Sequence, residues 1–250
     1  MPIDAPSLNT RIEWLEETTS TNAIAAERAG QGERGPLWIG TRRQSAGRGR
    51  RGRAWTGLDG NLFATGLYTL NTTPAAAAEL SFATAIAVAQ VCDSALRDPV
   101  AIKVKWPNDI LLNGRKLAGI LLESGKAPGG GLWLAVGVGL NLKSAPQDVE
   151  RAATSLAEAG ATLDRETALQ RLAAIFDRQL ADWRRHGFGP IRDRWLARAA
   201  GLGERCVAQL DRERIEGIFG DLGPDGALRL DLASGERRYI SAGDVFFPDL

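Results

Sequence analysis

Between Thr41 and Trp55 the chain reads TRRQSAGRGRRGRAW. Six arginines stand between positions 42 and 53, and no acid appears before Asp59. Gly47, Gly49 and Gly52 are interleaved with them. The segment has no hydrophobic period, so it has nothing to bury as a helix or a strand. Its glycines admit left-handed and close-approach backbone, and its guanidiniums are forked, permanently charged donors. Such a loop in an otherwise neutral chain needs an anion to close upon, and phosphate is the first candidate. The same composition fits a solvated basic loop or an RGG-like nucleic-acid tether, so the flanking sequence has to discriminate.

A second chemical cluster lies at Lys105-Trp106-Pro107-Asn108-Asp109 and Arg115-Lys116-Leu117-Ala118-Gly119-Ile120-Leu121. Taken singly, Lys105 is the exposed side of a strand, Asn108-Asp109 are turn formers, and Lys116 is a surface charge. Together with the arginine loop they make clustered cations around one carboxylate. That suits a nucleoside triphosphate plus a carboxylate substrate: a lysine for the carboxylate, arginines for phosphates, and Asn108 or Asp109 to help place magnesium or ribose. Ser20-Thr21-Asn22 can cap a helix, or can face a ligand at that helix's N-terminus. Gly137, Gly139 and Asn141 alternate along a strand, so both glycines leave one face open to a ligand or a backbone.

The elements that must position these residues follow from pattern and punctuation. Strands are expected over 11–18, 37–41, 61–68, 101–106 and 132–142, with a hairpin from Ile110 to Ser124 turning at Gly114-Arg115. Helices are expected from Ala23 to Ala29 with Gly30 behind, from Pro74 to about Arg97, over 148–159, over 164–186 and over 190–200. The strand over 132–141 is expected to reach a sheet edge, where a carrier or a second copy could pair with it. After Gly201-Leu202-Gly203 the texture changes to short strands between Gly/Asp/Pro turns, which make a small barrel packed on the larger unit.

The totals set limits. The chain has 250 residues, 44% apolar and 24% charged, enough for one sizeable core and a small appended domain. Net charge is only +1, so the arginine cluster is a local feature and a broad nucleic-acid-coating surface is disfavoured. Cys92 and Cys206 show no CxxC or Cys/His spacing, which fits a reduced, cytoplasmic setting and no structural zinc. His186, the only histidine, stands beside Gly187 at a helix end, where a cation suits the last carbonyls; a Ser-His-Asp mechanism is disfavoured. No run of 18 uninterrupted apolar residues suggests a membrane span, and Met1 to Arg11 lacks a signal-peptide pattern.

Six motifs in order strongly resemble the biotin protein ligases. They are Ser20-Thr21-Asn22, Gln44 to Trp55, Gly60-Asn61-Leu62, Lys105 to Asp109, Arg115 to Leu121, and Gly137-x-Gly139-x-Asn141. Ser241 to Val245 is similar to the family's closing strand. The resemblance implies an α+β fold: a mixed-sheet catalytic domain over 1–202, related to class II aminoacyl-tRNA synthetases, and an SH3-like barrel over 203–250. It implies ATP-dependent attachment of biotin, through biotinyl-5′-adenylate and with magnesium, to a lysine of a biotin carboxyl carrier domain. By that resemblance Ser20, Thr21, Asn22, Gln44, Arg48, Gly49, Arg50, Lys116 and Gly119 serve biotin, and Arg50, Arg53, Trp55, Asn108, Asp109 and Asn141 serve ATP. Lys116, Arg50 and Arg48 would carry the catalysis. The chain departs from the family at Thr56-Gly57, where a Ser-Pro pair is usual. The short stretch before the first strand leaves no room for the helix-turn-helix of the family's repressors, so no operator binding is expected. A lipoate or octanoate ligase or transferase is the nearest alternative, and the intact Gly47-to-Arg53 run and the small barrel speak against it. An RNA- or DNA-binding module using Arg42 to Arg53 is the third reading.

Overall fold

The computed structural model describes residues 10–96, 102–147 and 152–248. Its first layer is a seven-stranded sheet in the order β1-β2-β3-β7-β6-β5-β4. The strands are β1 (Arg11–Thr18), β2 (Leu37–Gln44), β3 (Leu62–Leu70), β4 (Ile102–Lys105), β5 (Asp109–Leu112), β6 (Arg115–Lys126) and β7 (Leu132–Leu140). β1 and β2 are parallel and the remaining neighbours antiparallel, so the sheet is mixed. The expectation that the 132–141 strand reaches an edge fails: β7 pairs on both sides, with β3 and β6. Its run of buried apolar residues with almost no polar alternation is what a central strand requires.

Helix α1 (Thr21–Gly30) follows β1. Gly30 is its last residue rather than the residue beyond it, and the chain turns instead at Gly32, with φ 95°. The apolar segment expected as one helix from Pro74 is two: α2 (Pro74–Ala78), capped by Thr73, and α3 (Leu80–Asp93). Pro74–Asp93 is long and apolar enough to cross a membrane, with mean hydropathy 1.5, but 67% of that stretch is buried inside the fold. Its alanines let α3 lie close against the sheet, with Leu80, Phe82, Ile86 and Val91 in the core. Helices α4 (Arg165–His186) and α5 (Gly189–Leu196) complete the layer. Asp164 caps α4 through Thr167 N at 2.7 Å.

Across that core Trp38 and Phe176 pack edge to face, and Trp38 Nε1 donates to Tyr68 Oη at 2.8 Å. Tyr68 in turn donates to buried Asp177 Oδ1 at 2.8 Å. Burial, and then the Asp177 charge, hold the Tyr68 phenol well above its usual pKa, so it remains the donor.

No helix forms over the described part of 148–159; residues 148–151 lie outside the description. Residues 152–155 carry no helix and pair beside β6 at Ala153, and only Ala157–Ala159 makes a short 3₁₀ turn. Backbone bonds decide this. Lys116 N donates to Ala152 O at 2.8 Å, and Thr154 N donates to Lys116 O at 2.9 Å. Thr154 and Ser155 are buried, and Ala153 lines the site.

The C-terminal unit is a five-stranded antiparallel sheet, β11-β10-β9-β8-β12. Its strands are β8 (Arg205–Gln209), β9 (Arg214–Leu222), β10 (Leu228–Asp231), β11 (Arg237–Ile240) and β12 (Asp244–Phe246). It is joined to the larger unit by an aromatic run, Phe82 to Trp195 to Phe219 to Phe247. Trp106 Nε1 also donates to Gly226 O at 3.1 Å, and Arg192 pairs with Asp221 at 2.6 Å. Cys92 and Cys206 are buried free thiols, and burial pushes Cys206 up to about 11. His186 sits exposed in the last turn of α4, with Nδ1 2.7 Å from Asp182.

Candidate functional site

A cavity of about 390 Å³ opens on the face of the sheet where β6 and β7 carry their glycines. Gly119 and Gly139 are register partners on these strands. The Trp55 indole lies on both: a Cβ at Gly139 would stand 2.3 Å from Trp55 Cε2, and one at Gly119 would stand 2.8 Å from Cζ3. The glycines therefore form a floor that a flat ring can rest on. Trp55 Nε1 is buried there without a hydrogen-bond partner.

One end of the cavity is built by the start of α1. Ser20, at the N-cap position, makes no capping bond. Gln44 caps instead, with Oε1 accepting from Thr21 N at 2.9 Å and from Thr21 Oγ1 at 3.3 Å. The Thr65 hydroxyl lies 2.8 Å from Thr21 Oγ1 and 2.6 Å from Asn22 Oδ1. Asn22 Nδ2 donates to Leu121 O at 3.2 Å and to Glu123 Oε2 at 2.7 Å. Asn22 Oδ1 projects over Gly137, where a Cβ would come within 2.1 Å of it. This end is thus a buried polar lattice with fixed acceptors and free space beside it.

The charged end centres on Lys116, whose Nζ lies 2.6 Å from Asp109 Oδ1 and 5.5 Å from the Trp55 ring centroid. Asn108 Nδ2 donates to Ile120 O at 2.7 Å, leaving Oδ1 toward Arg50 Nη1 at 3.5 Å. Arg50 also reaches Gly243 O at 3.4 Å. Its neighbours on the loop take carboxylates: Arg48 takes Glu123 at 3.4 Å, Arg51 takes Asp211, and Arg53 takes Asp244 at 2.9 Å. Arg50 turns to neutral oxygens, and burial lowers its pKa below the ordinary arginine value. A desolvated guanidinium of this kind is where an incoming anion gains most.

The loop is more ordered than its composition suggests. Gly49 N donates to Arg53 O at 2.7 Å and Trp55 N to Gly47 O at 2.9 Å, around a 3₁₀ turn at Arg50–Gly52. Arg51 holds φ 55° at its tip. Arg165 of α4 fastens both ends, donating to Arg42 O at 3.2 Å and to Asp59 Oδ1 at 3.1 Å. That clip fixes the loop's exit without a proline after Trp55.

The cavity brings together Ser20, Thr21, Asn22, Gln44, Arg48, Gly49, Arg50, Arg53, Trp55, Asn108, Asp109, Lys116, Gly119 and Asn141, the residues that the resemblance assigns to biotin and ATP. Asn141 is committed on both edges of its amide: Nδ2 donates to Thr154 O at 3.0 Å, and Oδ1 lies 3.4 Å from Asn61 Nδ2. Lys105, expected on an exposed strand face, is buried, with Nζ 5.9 Å and 5.8 Å from the Phe246 and Phe247 ring centroids. Thr65, Glu123 and the wall residue Ala153 were not foreseen from the sequence. Thr65 carried a signal, since it shares a face of β3 with Phe63 and Leu67. Among the described residues no group of three or more His, Cys, Asp and Glu could hold a metal ion.

Comparison with known proteins places this arrangement. Residues 14–141 match the Biotin/lipoate A/B protein ligase family, and 201–247 match the Biotin protein ligase C terminal domain. A biotin–[acetyl-CoA-carboxylase] ligase of Paracoccus denitrificans is 43% identical over 239 residues, 93% of this chain and 99% of that protein. The corresponding ligase of Mycobacterium tuberculosis is 33% identical, over 88% of this chain and 75% of its own. The biotin protein ligase of Aquifex aeolicus, solved with biotin and ATP, superposes with a TM-score of 0.80 at 24% identity, covering 95% of this chain and 99% of that one, and supports the fold. On these matches, which run through both the mixed sheet and the small C-terminal sheet, the chain belongs to the biotin protein ligase family.

Proposed function

We propose that the protein attaches biotin, at the expense of ATP, to a lysine of a biotin carboxyl carrier domain through biotinyl-5′-adenylate. The observation that carries this reading is the pairing, in one cavity, of a glycine-floored polar pocket with Lys116 and Arg50. Residues 1–202 form the biotin- and ATP-binding unit and 203–250 the small C-terminal unit. Ser20, Thr21, Asn22 and Gln44 hold the polar head of biotin, over Gly137 and Gly119. Lys116 holds the biotin carboxylate. Arg50 and Arg53 take phosphates, Trp55 packs on the adenine, and Asn108, Asp109 and Asn141 complete the nucleotide side.

Two reactions follow. A biotin carboxylate oxygen attacks the α-phosphorus of ATP, and the bond to pyrophosphate breaks. A lysine amine of the carrier then attacks the acyl carbon, and AMP leaves. In the first step two anions must meet, so fixed cations are the main catalytic requirement. In the second, the mixed anhydride must be kept from water until the amine arrives, which is the work of the 47–53 loop. Among the described residues that line the cavity, Asp109 is the one carboxylate. Magnesium would be held largely by the substrate's phosphates with Asp109 near it, and would supply charge neutralisation to the leaving pyrophosphate.

Protein incubated with biotin, ATP and magnesium should form biotinyl adenylate, and an added carrier domain should gain the mass of biotin. Consumption of lipoate but not biotin would overturn the assignment. Arg50→Gly should speed release of the adenylate by about tenfold or more, since one forked, charge-assisted contact to phosphate is lost. A pulse-chase of labelled adenylate measures it, and an unchanged off-rate would remove Arg50 from that role.

A further inference from the structure

Glu123 lies outside the cavity's lining yet touches two residues that line it, Asn22 and Arg48. It follows Gly119 and Leu121 on the same face of β6. One of its oxygens, Oε2, accepts from Asn22 Nδ2 at 2.7 Å; the other, Oε1, lies 3.4 Å from Arg48 Nη2. We propose that Glu123 is a positioning residue that sets the orientation of the Asn22 amide in the pocket and tethers the front of the arginine loop above it.

The orientation argument rests on donor and acceptor types. An ionised carboxylate only accepts, so the Asn22 edge that faces it must be the NH₂. Leu121 O, on the same side, also accepts only and reinforces that choice. The carbonyl edge is thereby turned toward Thr65 and the open face of Gly137. The pocket consequently presents a fixed acceptor, suited to a ligand N–H such as those of a cyclic urea. This step depends on the biotin reading above. The tether argument is electrostatic. Arg48 is bound to the same carboxylate that fixes Asn22, so pocket order and loop closure share one group. An exposed pair of this kind contributes little to stability, because solvent screens it. Its effect falls instead on where Arg48 stands.

Glu123→Gln removes both constraints with almost no change of shape. A glutamine amide can offer either edge, so Asn22 loses one of the two acceptors that fix its orientation, and Arg48 loses its carboxylate. Initial rates of pyrophosphate release on the full chain should show KM for biotin raised by about tenfold. KM for ATP and the melting temperature should stay at the wild-type values. Release of the adenylate should quicken, and Arg48→Gln combined with Glu123→Gln should release it no faster than either alone. If Glu123→Gln melts early, Glu123→Asp replaces it. Asp keeps the charge for Arg48 but falls short of Asn22, and should raise KM for biotin without faster release. An unchanged biotin KM in the folded variant, or parallel losses in both substrates, overturns the role of Glu123. If the wild-type protein releases no pyrophosphate with biotin and ATP, the functional reading itself fails, and with it the step that depends on it.

Discussion

Replacing Lys116 with glutamine should lower the rate of adenylate formation by a factor of about a thousand, the upper range for loss of one preorganised charge-stabilising donor. Lys116 Nζ lies 2.6 Å from Asp109 and 5.5 Å from the Trp55 ring centroid, inside the cavity that also holds Arg50. The reaction brings a carboxylate against a triphosphate, and glutamine offers dipoles where a full charge is needed. Water cannot substitute without also reaching the anhydride. The variant also takes from Asp109, whose side chain is only 8% exposed, its close cation. Breaking such a pair from one side costs stability, of order 3 kcal/mol for a well-buried case. Asp109→Asn in the same chain separates the two effects: it should restore the melting temperature but not the rate. Single-turnover pyrophosphate release at saturating biotin and ATP is the measurement. A loss smaller than about tenfold would mean that Lys116 is not the charge that brings the two anions together.

Gly137→Ala should weaken biotin binding by roughly tenfold to a hundredfold, the consequence of about 1–3 kcal/mol of overpacking. The added methyl would stand 2.1 Å from Asn22 Oδ1 and 3.0 Å from Leu121 O, a backbone atom of the adjacent strand. Asn22 has little freedom to withdraw, because Thr65, Leu121 and Glu123 hold its amide. β7 is the central strand of the sheet, so the backbone has little freedom either. The loss should appear in KM for biotin with KM for ATP unchanged. Gly30→Ala, with nothing within 4 Å of the new methyl, is the control and should alter neither. Equal biotin affinity in Gly137→Ala would place biotin elsewhere in the cavity.

Much of this site was legible in the sequence because its parts are local. The arginine loop, the Lys116 hairpin and the glycine strand are each contiguous stretches whose residue types state their chemistry. Their meeting in one cavity was legible only through their order, by resemblance. What stayed hidden depends on partners distant in the chain. Residues 152–159 look helical from their Ala, Leu and Glu content, yet Lys116 and Asn141 claim backbone groups of 152–156, as in the bond from Leu156 N to Asn141 O at 3.0 Å. β7 was expected at an edge, whereas it is central, and the glycines read as opening one of its faces make room there for Asn22 and Trp55. Lys105 seemed exposed because its neighbours alternate, and the C-terminal aromatics that cover it lie some 140 residues further along the chain. Glu123 gave no local sign at all, since its importance lies in joining Asn22 to Arg48.

The same long-range logic explains how a loop so rich in charge can rest closed. Asp211 and Asp244 of the C-terminal sheet meet Arg51 and Arg53, Glu123 of β6 meets Arg48, and Arg165 of α4 clips the loop's two ends. Arg50 is directed to neutral oxygens at the cavity, with the Asp244 charge nearby. The loop is thus held at its flanks and left open to an anion at its centre.

Amide hydrogen exchange across residues 47–55, with and without biotin plus ATP, tests that closure most directly. If the loop shuts over the activated acyl nucleotide, exchange at Arg48 to Arg53 should slow more than anywhere else in the chain once the adenylate forms, and recover when a carrier domain discharges it. Unchanged exchange through this segment, with protection arising at some other surface, would contradict the account.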